Sequence, residues 1–224
     1  MGNLAIIPAR GGSKRIPRKN IRDFFGKPII SYSIQTVINS ALFEEVMVST
    51  DDDEIESVAK NFGASVPFKR SEKTSNDYAT TFDVIEEVVN SYKKLGREFE
   101  NICCIYPCAP FVLEKKIKDA YDMLSAQYFD TVFPVIKYGF PIQRSLQMND
   151  FGKSNFLYPE YALTRSQDLP PSFHDAGQFY WGQTDAWLKN KPIISKSAIP
   201  ILIPRSRVHD IDTHEDWQIA ETMF

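Results

Sequence analysis

Short apolar runs separated by helix-length segments constrain this chain most. Leu4 to Pro8 is a continuous apolar run of strand length. It lacks the polar alternation of a half-exposed strand, so it suits a strand covered on both faces. Glu45–Ser49, Ala64–Phe68, Asn101–Tyr106 and Thr131–Ile136 read as further strands. Pro28–Asn39 reads as a helix opened by proline in its first turn. Thr50 or Asp51 can cap the helix that Gly63 ends, with Asp52, Asp53 and Glu54 near its positive end. Thr80–Leu95 carries Phe82, Ile85, Val88, Val89 and Tyr92 at helical spacing, and Leu113–Gln127 is another helix. This alternation predicts βαβ units and a mostly parallel sheet. Ligands of such sheets bind beyond the carboxyl ends of the strands, here after Pro8, Thr50, Tyr106 and Ile136.

The segment from Tyr138 to Phe173 breaks the rhythm, with prolines at 141, 159, 170 and 171. A structureless loop that long inside a compact domain is unusual. It is expected to be an arm or small β excursion packed on a second subunit. Ala176–Trp181 and Ile199–Ile203 then resume the strand pattern, and His214–Phe224 is a closing helix capped by Thr213. The 224 residues are expected to form a single domain over 1–224, with 138–173 inserted as the arm.

Composition narrows the functions. Hydrophobic residues are 43% and charged residues 25% of the chain, enough for a sizeable core. With 26 basic and 29 acidic residues the net charge is −3, which argues against nucleic acid as a partner. No stretch approaches the roughly 18 apolar residues of a membrane span, and the opening apolar run is too short for a signal peptide. A soluble, cytoplasmic protein without a membrane partner is expected. Cys103, Cys104 and Cys108 form no CxxC pair, and free thiols in a reducing compartment are the simpler reading.

Two constellations could carry chemistry. From Arg10 to Arg22 there are six basic residues and no acidic one, around Gly11 and Gly12 at the exit of a buried strand. Glycine lets backbone N–H groups approach a phosphate and the cations neutralise it. A solvated basic loop is the alternative, but cations packed so densely repel each other without an anion. Asp210 and Asp212, two apart in an extended segment, point the same way and can reach one hard cation such as Mg²⁺. Surface charge or helix capping is the alternative for that pair. Tyr106–Phe111 is a rigid proline turn, and Asp175–Trp181 suits a core strand or a sugar-binding wall. Asp51–Asp53 fit helix capping better than metal binding. His174 and Cys108 show no catalytic partner in sequence.

Together, IIPARGGSKRIPRKN, STDDDEI, FKRSEKTSNDYATT and HDIDTHEDW resemble, in order, the signature blocks of the CMP-sialic acid synthetase (acylneuraminate cytidylyltransferase) family. The likeness spans essentially the whole chain. YPCAPF and DAGQFYW are similar to the branch of that family that acts on pseudaminic acid. The resemblance implies a three-layer α/β/α sandwich of the nucleotide-diphospho-sugar transferase, Rossmann-like kind, with one reversed strand among its seven. It implies transfer of CMP from CTP to an acidic nine-carbon sugar, with pyrophosphate released and Mg²⁺ as cofactor. N-acetylneuraminic or legionaminic acid are alternative sugars, and a catalytically silent CTP- or CMP-binding regulator is an alternative of another class. Arg10, Lys14 and Lys19 would hold the phosphates, with Gly11, Gly12, Ser13 and Asn20 shaping the loop. Arg70 and Thr80 or Thr81 would read the base and ribose, and Asp210 and Asp212 would bind the metal. Tyr106, Gln178, Phe179 and Tyr180 would line the sugar pocket, and Arg165 would reach the sugar of a neighbouring subunit in a homodimer. A bacterial role in flagellar or surface glycan synthesis follows from the same likeness.

Overall fold

The computed structural model describes residues 2–126, 129–189 and 192–224. From the N-terminus, β1 (Asn3–Pro8) enters the basic loop. A short hairpin, β2 (Asp23–Phe24) and β3 (Lys27–Pro28), leads from that loop to α1 (Ile30–Asn39). β4 (Glu45–Ser49) is followed by α2 (Asp53–Asn61), the single turn α3 (Glu72–Ser75) and α4 (Thr81–Lys94). β5 (Asn101–Ile105), α5 (Glu114–Ser125) and β6 (Thr131–Lys137) continue the alternation. The proline-rich segment holds the hairpin β7 (Leu146–Met148) and β8 (Ser154–Phe156) among short 3-10 turns. β9 (Phe173–Asp175), β10 (Phe179–Gln183), α6 (Thr184–Leu188), β11 (Ala198–Leu202) and α7 (His214–Met223) complete the chain.

The main sheet has the order β11-β6-β10-β5-β1-β4, with β9 beside β6 as the seventh strand. β1 runs parallel to β4 and β5, and β11 parallel to β6. β10 lies antiparallel between β5 and β6, as the family likeness implies. The short β9 also runs against β6. It precedes β10 on the same line of chain, interrupted where Gly177 takes φ +62°. Alternation along the buried strands divides the core. Ala5, Ile7, Val48 and Cys103 face α1, α2 and α5, through Ile34, Val37, Ile55, Ile117 and Leu124. Leu4, Ile6, Met47 and Cys104 face α4 and α6, through Ile85, Val88, Tyr92 and Trp187. The result is helices on both faces of a mostly parallel sheet.

Three sequence expectations shift. Ala64–Phe68 makes a single bridge, Met47 to Ser65, instead of a strand. Pro67 has no N–H with which to extend the ladder. Pro28 closes the β2–β3 hairpin and the helix begins at Ile30. Phe25 and Gly26, both at positive φ, form the two-residue turn of that hairpin, the geometry matching strand twist. The α5 helix runs to Ser125; Gln127, where the sequence places its end, lies outside the described residues.

Trp181 shows how tightly β10 is fixed. It is fully buried, stacked on Phe43 at 5.0 Å between ring centroids and in contact with Tyr121. Its indole N–H donates to Ile117 O at 3.1 Å. Trp181→Ala should cost about 3–5 kcal/mol, the range for truncating a large core aromatic, read as a shift in the urea unfolding midpoint.

Asp52 ties the basic loop to α2. Its Oδ1 caps the helix by accepting from the N–H groups of Glu54 and Ile55, at 3.0 and 2.9 Å. The same carboxylate accepts both terminal nitrogens of Arg18, at 2.5 and 2.9 Å. Arg18 itself sits at φ +57°, a strained position for a side-chain-bearing residue. The Arg18 guanidinium, with help from the capped N–H groups, pulls the Asp52 carboxyl down to about 2. An unfolded aspartate titrates near 3.9, so this contribution is complete above about pH 4 and is lost as pH falls toward 2. Asp52→Asn should therefore lower stability by about 1–2 kcal/mol at neutral pH and flatten the acid limb of the stability profile. Urea unfolding across that window checks both, and a variant with the parent's acid slope would remove Asp52 as its source.

Candidate active site

The basic loop leaves the carboxyl end of β1 and folds into a cavity of about 380 Å³. Arg10, Ser13, Lys14, Arg15, Lys19, Asn20, Asp77 and Asp212 line it. Glycine is required at position 11, because a Cβ there would lie 2.7 Å from Asp52 Oδ2. The Gly11 N–H donates to Asp51 at 2.9 Å, while a Cβ on Gly12 would meet open space. The buried Asn20 donates to Arg10 O at 3.0 Å and accepts from the Cys108 thiol. Asn20 thus fastens the loop from beneath. Arg10 Nη1 lies 2.7 Å from Asp77, and Lys14 pairs with the other oxygen of the same carboxylate. Lys19 donates to Ile211 O at 2.6 Å and lies 3.5 Å from Asp212, which also accepts from Arg15 at 2.8 Å. Arg22 stacks over Trp217 at 4.6 Å.

Ile211 is buried and anchors the segment that carries Asp210 and Asp212. Desolvation raises the Asp210 carboxyl above its ordinary value, and the neighbouring Asp212 charge adds to this. Asp212 faces the basic-loop cavity, whereas Asp210 faces a second one of about 510 Å³. Tyr106, His174, Asp175, Gly177, Tyr180 and His209 also line the second cavity. Tyr180 donates to Asp175 at 2.7 Å, and its ring meets Tyr106 at 5.4 Å. Burial pushes the phenols of Tyr106 and Tyr180 up, so both stay protonated donors. His209 Nε2 is enclosed without a hydrogen bond, 3.8 Å from Asp216 Oδ1. A larger cavity, about 620 Å³, opens at the opposite end of the sheet, where Lys93 and Arg97 mix with Glu98, Glu100 and Asp185. It lacks the convergence of like charge that marks the loop.

The remaining sequence candidates divide. Arg70 lies under the Thr50 carbonyl, bonded through its N–H at 2.9 Å and through its side chain to Thr74 O. Its Nε is buried without a partner, and desolvation lowers its pKa. The Thr80 hydroxyl is committed to a capping box with Asp83, and Thr81 is the first residue of α4. Phe179 does not reach the second cavity. Neighbouring strand residues point to opposite faces, so Tyr180 faces the cavity and Phe179 enters the core opposite. Gln178 is likewise buried and donates to Arg207 O at 2.6 Å. Arg165 is exposed in the proline-rich segment and pairs with Asp168. Asp77 and His209 were not singled out in the sequence, His174 was considered and set aside, and Asp175 only opened a stretch read as a core strand or sugar-binding wall. The partners of Asp77 lie more than sixty residues away in the chain. The cap of α2 is Asp52, not Thr50 or Asp51 as the sequence suggests, and its carboxylate is engaged by the Glu54 and Ile55 N–H groups and by Arg18.

Cys103 and Cys104 are buried on opposite faces of β5. Burial raises both thiols, that of Cys104 to about 12, and also that of Cys108 to about 12. None is a thiolate nucleophile near neutral pH. Among the described residues no helix is long and apolar enough to cross a membrane.

The cytidylyltransferase family model matches residues 4–180. The chain is 40% identical to a pseudaminic acid cytidylyltransferase of Campylobacter jejuni, over 100% of this chain and 97% of that protein. It is 30% identical to a CMP-N,N'-diacetyllegionaminic acid synthase of Legionella pneumophila, over 99% and 95% of the two chains. Among solved structures, a CMP:2-keto-3-deoxy-manno-octonic acid synthetase complexed with CTP superposes with a TM-score of 0.69. That match covers 100% of this chain and 98% of the other at 18% identity, a likeness of fold. Sheet, basic loop and full-length likeness agree, and the chain belongs to the cytidylyltransferase family of nucleotidyltransferase enzymes.

Proposed function

We propose that this enzyme transfers CMP from CTP to the anomeric hydroxyl of pseudaminic acid, releasing pyrophosphate. The observation that carries this reading is the meeting of two cavities at Asp210–Ile211–Asp212, one cationic and one lined by phenols and histidines. A nucleotide triphosphate suits the first and a polyhydroxylated sugar the second. The likeness to relatives named for pseudaminic acid selects the sugar.

Arg10, Lys14 and Lys19 bind the triphosphate and stabilise charge growing on the leaving pyrophosphate. The Asn20 bond to Arg10 O holds that cradle in shape before substrate arrives. Arg70 and Thr81 lie at the base and ribose end. Tyr106 and Tyr180 present hydroxyl groups to the sugar, with Asp175 fixing the orientation of Tyr180. The sugar oxygen attacks the α-phosphorus, the bond to the bridging oxygen breaks, and its electron pair leaves with pyrophosphate. The hydroxyl proton passes to solvent.

The carboxylates of Asp210 and Asp212 suit Mg²⁺, a hard cation that accepts a few protein oxygens beside phosphate and water. The Asp210 carboxyl is raised first by desolvation and then by the Asp212 charge, and a cation beside them would offset both. Among the described residues no cluster of three His, Cys, Asp or Glu gathers for a cage made of protein alone, so substrate oxygens would complete the shell. When bound there, the ion supplies positive charge to the phosphates and acidifies the sugar hydroxyl.

The enzyme works as a homodimer in this reading. The arm exposes Phe140, Met148, Phe151 and Leu163, apolar groups that a second subunit would cover. Arg165 would then reach the partner's sugar site. The free thiols and the need for CTP suit the cytoplasm.

Pyrophosphate release with CTP and Mg²⁺ should occur with pseudaminic acid and not with N-acetylneuraminic acid. Release with the latter sugar alone would move the assignment to a sister activity, and release with neither, while CTP still binds, would favour a silent nucleotide binder. Asp212→Asn should lower turnover at least about a hundredfold, the scale of a lost charge contact in the transition state. Near-parent turnover in the folded variant would end the metal assignment.

A further inference from the structure

Asp77 is an acid among the loop's cations. One carboxylate oxygen takes Arg10 and the other takes Lys14, so a single group spans two cations as two phosphate oxygens would. These are the hydrogen bonds and ion pairs of its side chain among the described residues. They hold its carboxyl below the usual range, Lys14 more than Arg10. Asp77 lies in the short connection between α3 and α4. Asn76 Oδ1 accepts from the N–H groups of Tyr78 and Ala79, at 2.8 and 3.0 Å, and its amide donates to Lys73 O at 2.7 Å. On the far side the Thr80 capping box starts α4. Between these anchors Tyr78 is 93% exposed. The connection is therefore tethered across the cavity by the two ion pairs of Asp77.

We propose that Asp77 is a built-in stand-in for a nucleotide phosphate, holding Arg10 and Lys14 until the terminal phosphates of CTP displace it and returning as pyrophosphate leaves. This rests on the reading of Arg10 and Lys14 as phosphate ligands. The exchange is feasible because both pairs are solvent-exposed, and exposed ion pairs are weak. A triphosphate offers more charge and more acceptor oxygens than one carboxylate, so it wins the cations. A monophosphate that does not reach both cations leaves Asp77 in place and escapes most of that penalty. Asp77 therefore weakens every ligand that takes both cations, and its return opposes retention of pyrophosphate. It also keeps the crowded cations neutralised between turnovers. Asp77 thus acts by competition, easing the release of pyrophosphate.

The test is calorimetric titration of inorganic pyrophosphate, CTP and CMP into the native chain, Asp77→Asn and Arg10→Ala. In Asp77→Asn the dissociation constants for pyrophosphate and CTP should fall about three- to tenfold, as for the loss of one or two competing exposed pairs, with a smaller change for CMP. A folded Asp77→Asn that binds pyrophosphate equally or more weakly would overturn the proposal, making Asp77 an orienting group. A second reading uses Tyr78→Trp with Asp77 intact. Saturating pyrophosphate should shift its emission as the connection is released, and saturation without a shift would also overturn the proposal. If pyrophosphate binds the native chain and Arg10→Ala weakens it, the phosphate site stands whatever Asp77 does. If pyrophosphate binds neither, the phosphate site falls and this inference with it.

Discussion

Six cations within thirteen residues set the main constraint on this molecule. Charges so crowded cannot share one loop unless other segments supply anions or aromatic faces. The fold supplies them from far along the chain. Asp52 and Glu54 take Arg18, Asp77 takes Arg10 and Lys14, and Asp212 takes Arg15 and approaches Lys19. Trp217 receives Arg22. Four separated stretches are thereby drawn to the carboxyl end of β1, where an α/β sheet opens its crevice. The pairing also explains how the loop keeps its shape when no substrate neutralises it.

The second cavity obeys a different logic. Its polar groups hang from the β5–β10 pair, from β9 beside β6 and from the segment before α7. Tyr180 and Asp175 orient each other, and the Tyr106 ring packs against that of Tyr180. Asp210 and Asp212 flank the buried Ile211, yet Asp212 lines the first cavity and Asp210 the second, where the spacing predicts one shared direction. The two cavities thus adjoin at one short segment.

Much of this was legible in the residues. Strands β1, β4, β5 and β6 announce themselves as apolar runs, and the Thr213 and Thr80 caps of α7 and α4 stand where helix-start chemistry places them. The glycine turn among cations marked the loop directly. The reversal of β10 carried no signal of its own, because a strand buried on both faces has no directional pattern. It came from family likeness, which did not extend to β9. Ala64–Phe68 looked like a strand because its side chains fit one, while Pro67 limits its backbone pairing. Alternation could have separated Phe179 from Tyr180 in advance. Nothing local could have found Asp77, whose partners Arg10 and Lys14 lie more than sixty residues away in the chain.

Gly11 and Asp52 interlock. The space that a side chain at position 11 would occupy is filled by the carboxylate that caps α2 and clasps Arg18. Neither position can drift alone: adding bulk at the first pushes the carboxylate off its cap, and shortening the second opens room while leaving Arg18 to Glu54 alone. Their substitutions should be strongly epistatic, the pair behaving as one inherited unit. Divergence in this enzyme would then proceed around that unit, through the sugar cavity and the arm, where side chains can change one at a time.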